Sequence, residues 1–343
     1  MTRYLLVGNP TAQSGKAADR IERALGRMVA RGMPAEFMAT LPGGQTVTVL
    51  KERLNAGGLD AVIYLGGDGT FAEVAKGVLA AESLLPMGLM PSGTANDQGK
   101  SFGISARPEA LDRNLDVIDA GHTIQLDVGH IERLDARGQP HEADLFFDSA
   151  GFGLQSDILA TRNEDRDRVQ RIPLLREIYR DYAVYAGATL KRYLASYVEP
   201  TKFDAEIIAD GQRHTYRGLT DLIFKGTAVY GGNWVPAPDG RPDDGMFEMI
   251  PMQGRRDMVS KMIRDHVDVQ LRGDELESLG VLHAEGCAAG RFEVELFRPA
   301  REQIRAQLDG DEWVDGTRFR IQVLKQRLPL IVPARWQPPW RRT

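Results

Sequence analysis

The sequence predicts an α/β N-terminal domain, in which helices cover both faces of a parallel sheet, followed by a β-rich C-terminal domain. The first 120 residues or so alternate between short apolar runs and longer helix-like stretches. After about residue 123, short strand-like runs separated by turns predominate. The chain has 343 residues and is 42% hydrophobic, which is enough for two cores at roughly 100–200 residues per domain.

The N-terminal part contains three short apolar runs, Tyr4–Val7, Ala61–Leu65 and Met87–Met90, and each ends in a turn rich in glycine or proline. Helix-like stretches follow at Lys16–Arg31 and Thr70–Ala80. Strand, turn and helix in this order predict a parallel sheet covered by helices. Ligands of such open sheets bind at the carboxyl ends of the strands, so the three turns are candidate binding elements.

The later part of the chain predicts antiparallel strands. Asp210-Gly211 and Asp135–Gly138 are typical of hairpin connections, and a helical stretch from about residue 169 to 193 interrupts the pattern. The final residues, 336–343, predict a poorly ordered tail. The expected strands are Thr123–Leu134, Ala143–Ser149, Phe203–Ile208, Arg217–Phe224, Met246–Pro251 and Arg291–Phe297.

Two domains follow from this change of pattern. We predict a first domain of residues 1–122, completed by a returning C-terminal segment at about 326–335. The second domain is expected to cover residues 123–325.

Charge, cysteine content and apolar runs argue against several classes of protein. The net charge of -5 argues against a dedicated nucleic-acid binder. The single cysteine, Cys287, cannot form an internal disulfide, which fits a reducing compartment. The apolar run Tyr4–Val7 is too short for a signal-peptide core, and no run reaches the roughly 18 apolar residues of a membrane span. We therefore expect a cytoplasmic protein.

Gly66-Gly67-Asp68-Gly69-Thr70 is the sharpest motif, because it follows an apolar strand and opens a helix. Glycine amides and a helix N-terminus favour phosphate, and Asp68 is a hard oxygen ligand suited to magnesium. Thr70 is able to cap the helix or to bind phosphate. A tight turn with a capping residue is the alternative. The motif is not a Walker A loop, since no Gly-Lys-Ser/Thr follows it.

Three further segments carry polar side chains in turns: Pro91–Asp97, Gly231–Met246 and Leu308–Trp313. In the first, Thr94 offers a hydrogen bond and Asp97 a carboxylate, so it is a candidate second wall of a nucleotide pocket. The last segment fits a hairpin tip. It also fits phosphoryl transfer, which needs a carboxylate to orient or deprotonate the attacking hydroxyl.

Together these elements resemble the diacylglycerol kinase catalytic family, which includes sphingosine kinases and bacterial lipid kinases. The resemblance runs from Asn9-Pro10 to Leu328–Val332. It implies an ATP-binding N-terminal domain, a β-rich lipid-substrate domain and an active site in the cleft between them. It also implies an ATP- and Mg²⁺-dependent kinase that phosphorylates a lipid hydroxyl, diacylglycerol-like or sphingoid, at the membrane surface.

The resemblance assigns roles to individual residues. Asp311 is the expected base, and Asp68 and Asp97 are expected to organise magnesium and water. A structural Mg²⁺ is expected at Arg241, Asp244 and Met246, mainly through backbone oxygens. The nucleotide is expected to be surrounded by Asn9, Thr40, Gly66, Gly67, Asp68, Gly69, Thr70 and Thr94.

Two departures from the family pattern keep alternatives open. Ala72 stands where the family has asparagine, and Asp311 stands where it has glutamate, with Glu312 as its neighbour. One alternative is an NAD kinase-like nucleotide kinase, which shares the glycine turn. Another is a catalytically silent regulator that binds ATP or lipid.

Membrane contact and oligomeric state are also left open by the sequence. The stretch Arg168–Arg192 carries six Lys/Arg against two Asp/Glu, and it fits either an anionic membrane surface or an amphipathic helix packed on its own domain. The sequence is also compatible with a homodimer.

Overall fold

The structure is a computed structural model that describes residues 2–160, 202–231, 234–238, 240–253, 285–298, 303–334 and 336. The chain forms two compact units. Unit 1 comprises residues 1–128, 226–246 and 323–343, and unit 2 comprises residues 129–225 and 247–322. The expected helical stretch at 169–193, with its basic residues, lies outside the described residues.

Unit 1 is built on a parallel sheet. Its first four strands lie in the order β2-β1-β3-β4, and Tyr4 of β1 pairs with Ala35 on one side and Ala61 on the other. A C-terminal strand, β16 (Arg318–Ile331), pairs in parallel with β4 through Leu330 and Met87. The four strands are β1 (Tyr4–Gly8), β2 (Ala35–Ala39), β3 (Ala61–Gly66) and β4 (Met87–Pro91).

Helices cover both faces of this sheet. On one face, Ile21 and Leu115 belong to an apolar cluster with Leu6 and Ile63. On the other face, Tyr64 meets Phe71 edge to face, with ring centroids 5.3 Å apart. The helices are α1 (Lys16–Ala30), α2 (Gln45–Asn55), α3 (Asp68–Ala80), α4 (Asp97–Ser101) and α5 (Leu111–Ala120).

Unit 2 is rich in antiparallel strands. One group follows the order β16-β13-β8-β9, and a six-stranded sheet follows the order β12-β11-β10-β7-β14-β15. Phe224 packs against Phe152 and Phe292, with ring centroids 6.1 Å and 4.8 Å away. The strands not yet given are β5 (Thr123–Leu134), β6 (Pro140–Phe146), β7 (Ser149–Gly153), β8 (Phe203–Ala209), β9 (Gln212–Leu219), β10 (Asp221–Lys225), β11 (Phe247–Met252), β12 (Cys287–Ala289), β13 (Arg291–Phe297), β14 (Ala306–Leu308) and β15 (Asp311–Glu312).

The predicted fold class is confirmed, with an α/β N-terminal part and a β-rich C-terminal region. Both predicted hairpin turns are present, between β5 and β6 and between β8 and β9. The single strand expected at Arg217–Phe224 is wrong, because β9 ends at Leu219 and β10 begins at Asp221. The two strands belong to different sheets, and Gly218, with φ +65°, allows the change of direction.

The units differ from the expected domains in one internal segment. Residues 226–246 were expected in the second domain, whereas they pack in unit 1. Backbone donors explain this placement, because the amide of Gly231 binds the Asp97 carboxylate and that of Gly245 binds Asp127.

The expectation of a poorly ordered C-terminal tail is wrong for its first residue. Trp336 donates from its indole nitrogen to the Ser101 carbonyl at 3.0 Å. Its ring also lies against Phe102, with centroids 5.4 Å apart. The remaining residues of the expected tail, 337–343, lie outside the described part of the chain.

Candidate functional site

The residues expected at the nucleotide share one edge of the unit 1 sheet. Asn9 follows β1 and Thr40 follows β2, and the amide of Thr40 donates to the Gly8 carbonyl at 3.0 Å. The glycine turn follows β3, and Thr94 lies in the turn after β4. Because the strands are parallel, their carboxyl ends meet at the edge where open sheets of this class bind ligands.

The first glycine turn leads directly into a helix. Gly67 is the N-cap residue and α3 begins at Asp68, so the first amides of the helix have no intrahelical acceptor. A side chain on Gly66 would place its Cβ 2.5 Å from the Thr70 side chain, which only glycine avoids. The turn therefore presents backbone donors and the positive end of a helix dipole at the sheet edge.

The two glycine turns contact each other. A Cβ on Gly93 would lie 2.5 Å from the Cα of Gly67. The amide of Ser92 donates to the Gly66 carbonyl at 2.7 Å, and the Asp68 carboxylate accepts from the Gln98 amide at 3.3 Å. The glycines thus allow the close approach of two turns, a function separate from their proposed contact with phosphate.

Two asparagines in these turns have structural roles. The Asn9 side-chain oxygen accepts hydrogen bonds from the amide and hydroxyl of Thr11, at 3.0 and 2.8 Å. Asn96 adopts φ +55° and closes its loop through two 2.7 Å hydrogen bonds with the backbone of Gly93. The side-chain atoms of Asn96 are used locally, whereas Thr94 is exposed.

Asp68 and Asp97 differ in environment. Asp68 is half-buried, whereas Asp97 is 8% exposed and accepts the Gly231 amide at 2.8 Å. Segment 226–231 therefore helps to orient Asp97, a contact that no sequence pattern indicated. The adjacent Gln98 is also buried, and its side-chain amide has no hydrogen-bond partner among the described residues.

The loop of Arg241, Asp244 and Met246 is tied to Asp127 of β5. The Asp127 carboxylate accepts the Gly245 and Gln326 amides at 2.5 and 2.6 Å. Burial raises the pKa of Asp127, the nearby charges of Asp244 and Asp243 raise it further, and the two amide bonds oppose the shift. Asp127 is therefore a supporting residue that the sequence analysis missed.

The donor set of this loop suits a hard cation. Asp244 is half-buried, and one carboxylate oxygen accepts the Met246 amide at 3.0 Å. Carboxylate and backbone oxygens are the ligands that Mg²⁺ prefers. Within the described residues, no group of three or more His, Cys, Asp or Glu side chains is placed to hold a metal.

The segment Leu308–Trp313 in unit 2 forms a tight hairpin. Leu308 pairs with Asp311 across a two-residue turn in which Asp309 and Gly310 have φ +50° and +83°, as in type I′ turns. Asp311 and Glu312 are both exposed residues of β15. Adjacent strand residues point to opposite faces, so the two carboxylates differ in direction.

Asp309 is the half-buried acid of this motif. Its carboxylate accepts the amides of Phe147, Asp148 and Ser149, with shortest distances of 2.9, 2.7 and 3.0 Å. Burial raises the pKa of Asp309 to about 7, the charge of Asp148 adds to the shift, and the three amide bonds oppose it. Asp309 therefore anchors the hairpin that presents Asp311.

A buried ion pair supports the same turn. Lys225 donates to the Asp148 carboxylate at 2.6 Å, with side-chain exposures of 0% and 5%. Removing one partner from such a pair leaves an uncompensated buried charge. The Asp148 backbone amide binds Asp309, so Lys225, Asp148 and Asp309 form one connected network, of which the sequence analysis identified only the motif at 308–313.

Comparisons with known proteins find similarity to diacylglycerol kinases. The family model described as "Diacylglycerol kinase catalytic domain" matches residues 3–131. A diacylglycerol kinase of Mycobacterium tuberculosis is 28% identical over 260 residues, which are 75% of this chain and 74% of that protein. A diacylglycerol kinase of Staphylococcus carnosus is 25% identical over 252 residues, 73% and 72% of the two chains.

Two solved structures share the fold. A diacylglycerol kinase of Bacillus anthracis superposes with a TM-score of 0.66 at 18% identity, covering 98% of both chains. Yeast NADH kinase in complex with NADH gives a TM-score of 0.52 at 9% identity, covering 97% of this chain and 84% of that one. At these identities the likeness concerns the fold alone.

Proposed function

The chain belongs to the family of the diacylglycerol kinase catalytic domain and is an enzyme of the lipid kinase class, and from that premise we propose that it transfers the γ-phosphoryl group of ATP to a lipid hydroxyl. The observation that carries this proposal is the pair of interlocked glycine turns at the carboxyl edge of the unit 1 sheet. The hydroxyl oxygen attacks the γ-phosphorus, the bond to the leaving β-phosphate oxygen breaks, and the hydroxyl proton passes to a base.

The nucleotide is proposed to bind along the sheet edge. The amides at the start of α3 are suited to the phosphates, because they lack intrahelical acceptors and lie at the positive end of the helix. Thr70 and Thr94 add hydroxyl groups near the two turns, and Asn9 and Thr40 extend the edge along β1 and β2. Phosphoryl transfer depends mainly on positioning and electrostatic stabilisation, which rigid turns of this kind supply.

Asp311 is the proposed base for the acceptor hydroxyl. Its hairpin is held by a carboxylate with three backbone donors, so the position of Asp311 does not depend on a flexible loop tip. A base that orients or deprotonates a hydroxyl contributes roughly 10²–10⁴-fold to the rate.

Magnesium is proposed in two places. Mg²⁺ that accompanies ATP usually needs only one or two protein carboxylates in addition to substrate phosphates. Half-buried Asp68 and oriented Asp97 fit that requirement. When bound, the ion neutralises charge that develops on the phosphoryl oxygens. A second, structural Mg²⁺ is proposed at Arg241, Asp244 and Met246.

The acceptor is proposed to be a diacylglycerol-like or sphingoid lipid, met at the membrane surface by a cytoplasmic enzyme. Among the described residues, no helix is long and apolar enough to cross a membrane. The relatives named diacylglycerol kinase favour a glycerolipid acceptor.

The decisive experiment offers the protein radiolabelled ATP, Mg²⁺ and a total lipid extract, with products identified by mass. We expect label in one lipid class, and no label with an Asp68→Asn variant. Vesicles of pure diacylglycerol and of sphingosine in phosphatidylcholine then separate the two acceptor classes. Absence of labelled lipid from well-folded protein, across both vesicle types and the extract, would contradict the proposal.

A nucleotide acceptor is the second candidate, favoured by the fold shared with yeast NADH kinase. The same assay with NAD⁺ or NADH in place of lipid tests it directly. A silent regulator is the third candidate, because Ala72 and Asp311 depart from the family pattern. It predicts saturable ATP binding without turnover on any of these acceptors.

A further inference from the structure

A small cavity lies in unit 1 where β3 and β4 end. Its volume is about 60 Å³, and Leu65 and Met90 form part of its wall. Both residues belong to the apolar cluster shared with α1 and α5, so the cavity is on that face of the sheet. Helix α3, which begins at the first glycine turn, packs against the opposite face through Phe71 and Tyr64. None of the described residues proposed for the nucleotide lines this cavity.

The charged groups around the cavity are all positive. Arg20, Arg23 and Arg107 line it, and its described lining contains no carboxylate. Arg20 donates to the Ser92 carbonyl at 2.9 Å. Within the described residues, Arg23 and Arg107 make no ion pair. Arginine forks of this kind match the geometry of a tetrahedral oxyanion.

An unpaired acceptor belongs to Asn114, a residue of the same cavity lining. Asn114 is 5% exposed, and its side-chain nitrogen donates to the Ser105 carbonyl at 2.8 Å. Because a carbonyl accepts only from a donor, this bond fixes which end of the amide is nitrogen. The Asn114 Oδ1 atom is buried and has no hydrogen-bond partner in the described part of the chain. A buried acceptor left unpaired costs about 1–3 kcal/mol, so a bound group with an O–H is favoured here.

We propose that this cavity is a binding site for inorganic phosphate, distinct from the nucleotide site. The guanidinium groups of Arg20, Arg23 and Arg107 bind the anionic oxygens, and Asn114 Oδ1 accepts the remaining O–H. One water requires about 10–15 Å³ of such space, so a volume of about 60 Å³ leaves room for a phosphate group. Inorganic phosphate keeps at least one O–H at neutral pH, whereas a fully ionised phosphomonoester headgroup has none.

Sulfate provides the discriminating probe, because it has the same shape and carries no proton at neutral pH. Titration calorimetry of the full chain at constant ionic strength is expected to give saturable binding of one phosphate. Sulfate is expected to bind at least about tenfold more weakly, in line with the cost of an unsatisfied acceptor. Equal affinities for the two anions would overturn the role of Asn114.

Three variants locate the site. Arg107→Gln is expected to weaken phosphate binding about tenfold, as the loss of a charge-assisted hydrogen bond does. Arg113→Gln is the matched control, since it removes the same charge one residue before Asn114 and does not line the cavity. Asn114→Ala is expected to abolish the preference for phosphate over sulfate, with circular dichroism checking the fold. If Arg107→Gln and Arg113→Gln weaken phosphate binding equally, the effect comes from net charge alone, and the assignment of the cavity is overturned.

Two competition arms complete the test. ATP at saturation is expected to leave one phosphate bound, and complete displacement of phosphate by ATP would overturn a separate site. Phosphatidylcholine vesicles that contain phosphatidic acid are expected to show no binding that depends on Arg107. Binding confined to those vesicles would overturn free phosphate as the ligand and assign the cavity to a lipid headgroup. No saturable binding of phosphate would mean that the cavity holds water only, which also overturns the proposal.

Discussion

Two Asp-Gly dipeptides of this molecule differ in backbone conformation and in the hydrogen-bond partners of their carboxylates. Asp68-Gly69 begins a 13-residue helix, and its carboxylate is half-buried at the edge of a parallel sheet. Asp309-Gly310 forms a hairpin turn with positive φ at both residues, and the half-buried Asp309 accepts three backbone amides through its carboxylate. The same two residue types therefore begin a helix in unit 1 and form a structural anchor of a hairpin in unit 2.

The comparison shows that exposure and partners determine what an acidic motif residue does. Asp68 accepts the Gln98 amide beside the glycine turns, whereas Asp309 accepts three backbone amides and leaves Asp311 as an exposed carboxylate of its motif. Substitutions at the two dipeptides should consequently affect different quantities. Asp68 should govern turnover, Asp311 the hydroxyl-activation step, and Asp309 the stability of the hairpin.

The largest effect is expected for Asp68→Asn. Loss of the carboxylate beside the proposed phosphate-binding turn should lower kcat by about 10³-fold, at the upper end of single electrostatic contributions. The measurement is steady-state ATP-dependent lipid phosphorylation, with thermal unfolding as a check of the fold. The matched control is Asp210→Asn, another Asp-Gly position, whose carboxylate binds the Gly290 and Arg291 amides in an exposed hairpin. Turnover within about twofold of normal in folded Asp68→Asn would remove Asp68 from the proposed site.

Asp311→Asn should have the next largest effect, with kcat lowered about 10²- to 10³-fold and ATP affinity nearly unchanged. Glu312→Gln is its control, because the neighbouring side chain points to the other face of β15. If Glu312→Gln lowers kcat strongly and Asp311→Asn does not, the base is Glu312 and not Asp311. If both variants keep a nearly normal kcat, the motif is only a hairpin tip and supplies no base.

Asp309→Asn should change the dependence of stability on pH. The pKa of Asp309 is raised to about 7 in the folded protein from an ordinary value of 3.8, so the folded state binds the extra proton between these values. Its contribution to stability is complete below about pH 4 and is lost as the pH rises through about 7. The free-energy difference between wild type and Asp309→Asn should therefore fall by up to about 4 kcal/mol across this interval.

Urea unfolding at several pH values measures this difference. Asp210→Asn, in an exposed hairpin turn with the same Asp-Gly sequence, is measured alongside as the control. A difference between wild type and Asp309→Asn that rises with pH would show that Asp309 is ionised when folded.

The smallest effect is expected at Asp244. If the loop holds a structural Mg²⁺, adding MgCl₂ should raise the Tm of the wild type, because a ligand that binds only the folded state stabilises it. The expected shift is about 2–4 °C for each kcal/mol, and it should disappear in Asp244→Ala. Asp119→Ala, an exposed carboxylate on α5, should respond like the wild type. If the Tm of the wild type changes neither with magnesium nor with chelator, the loop does not hold a structural Mg²⁺.

Sequence reasoning succeeded where local pattern decides the outcome. The strands that precede Asn9, Gly66 and Pro91 are apolar and buried, so their turns and the parallel sheet were predictable, and the model of the predicted family matches residues 3–131. Strand β2 (Ala35–Ala39) was missed because it has no fully buried residue and no β-branched residue. Its position next to β1 comes from pairing, not from its own composition.

The supporting residues of the site could not be predicted from spacing. Asp97 finds its donor at Gly231, Asp127 at Gly245 and Gln326, and Asp309 at residues 147–149. Backbone amides carry no side-chain signature, so nothing in the sequence marks them as partners of a particular carboxylate. The site residues carried over from the family resemblance, including the position of the active site, stay predictions until the variants above are measured.

The discontinuity of unit 1 has a consequence for how the chain is made. Leu330, which pairs with Met87 of β4, leaves the ribosome long after β4 has been synthesised. Until then β4 lacks that neighbour, and an unpaired strand edge is a template for wrong pairing with other chains. Contacts this distant in sequence also slow folding. Truncation before residue 323 should therefore yield a chain prone to aggregation, although every residue of the two glycine turns would be present.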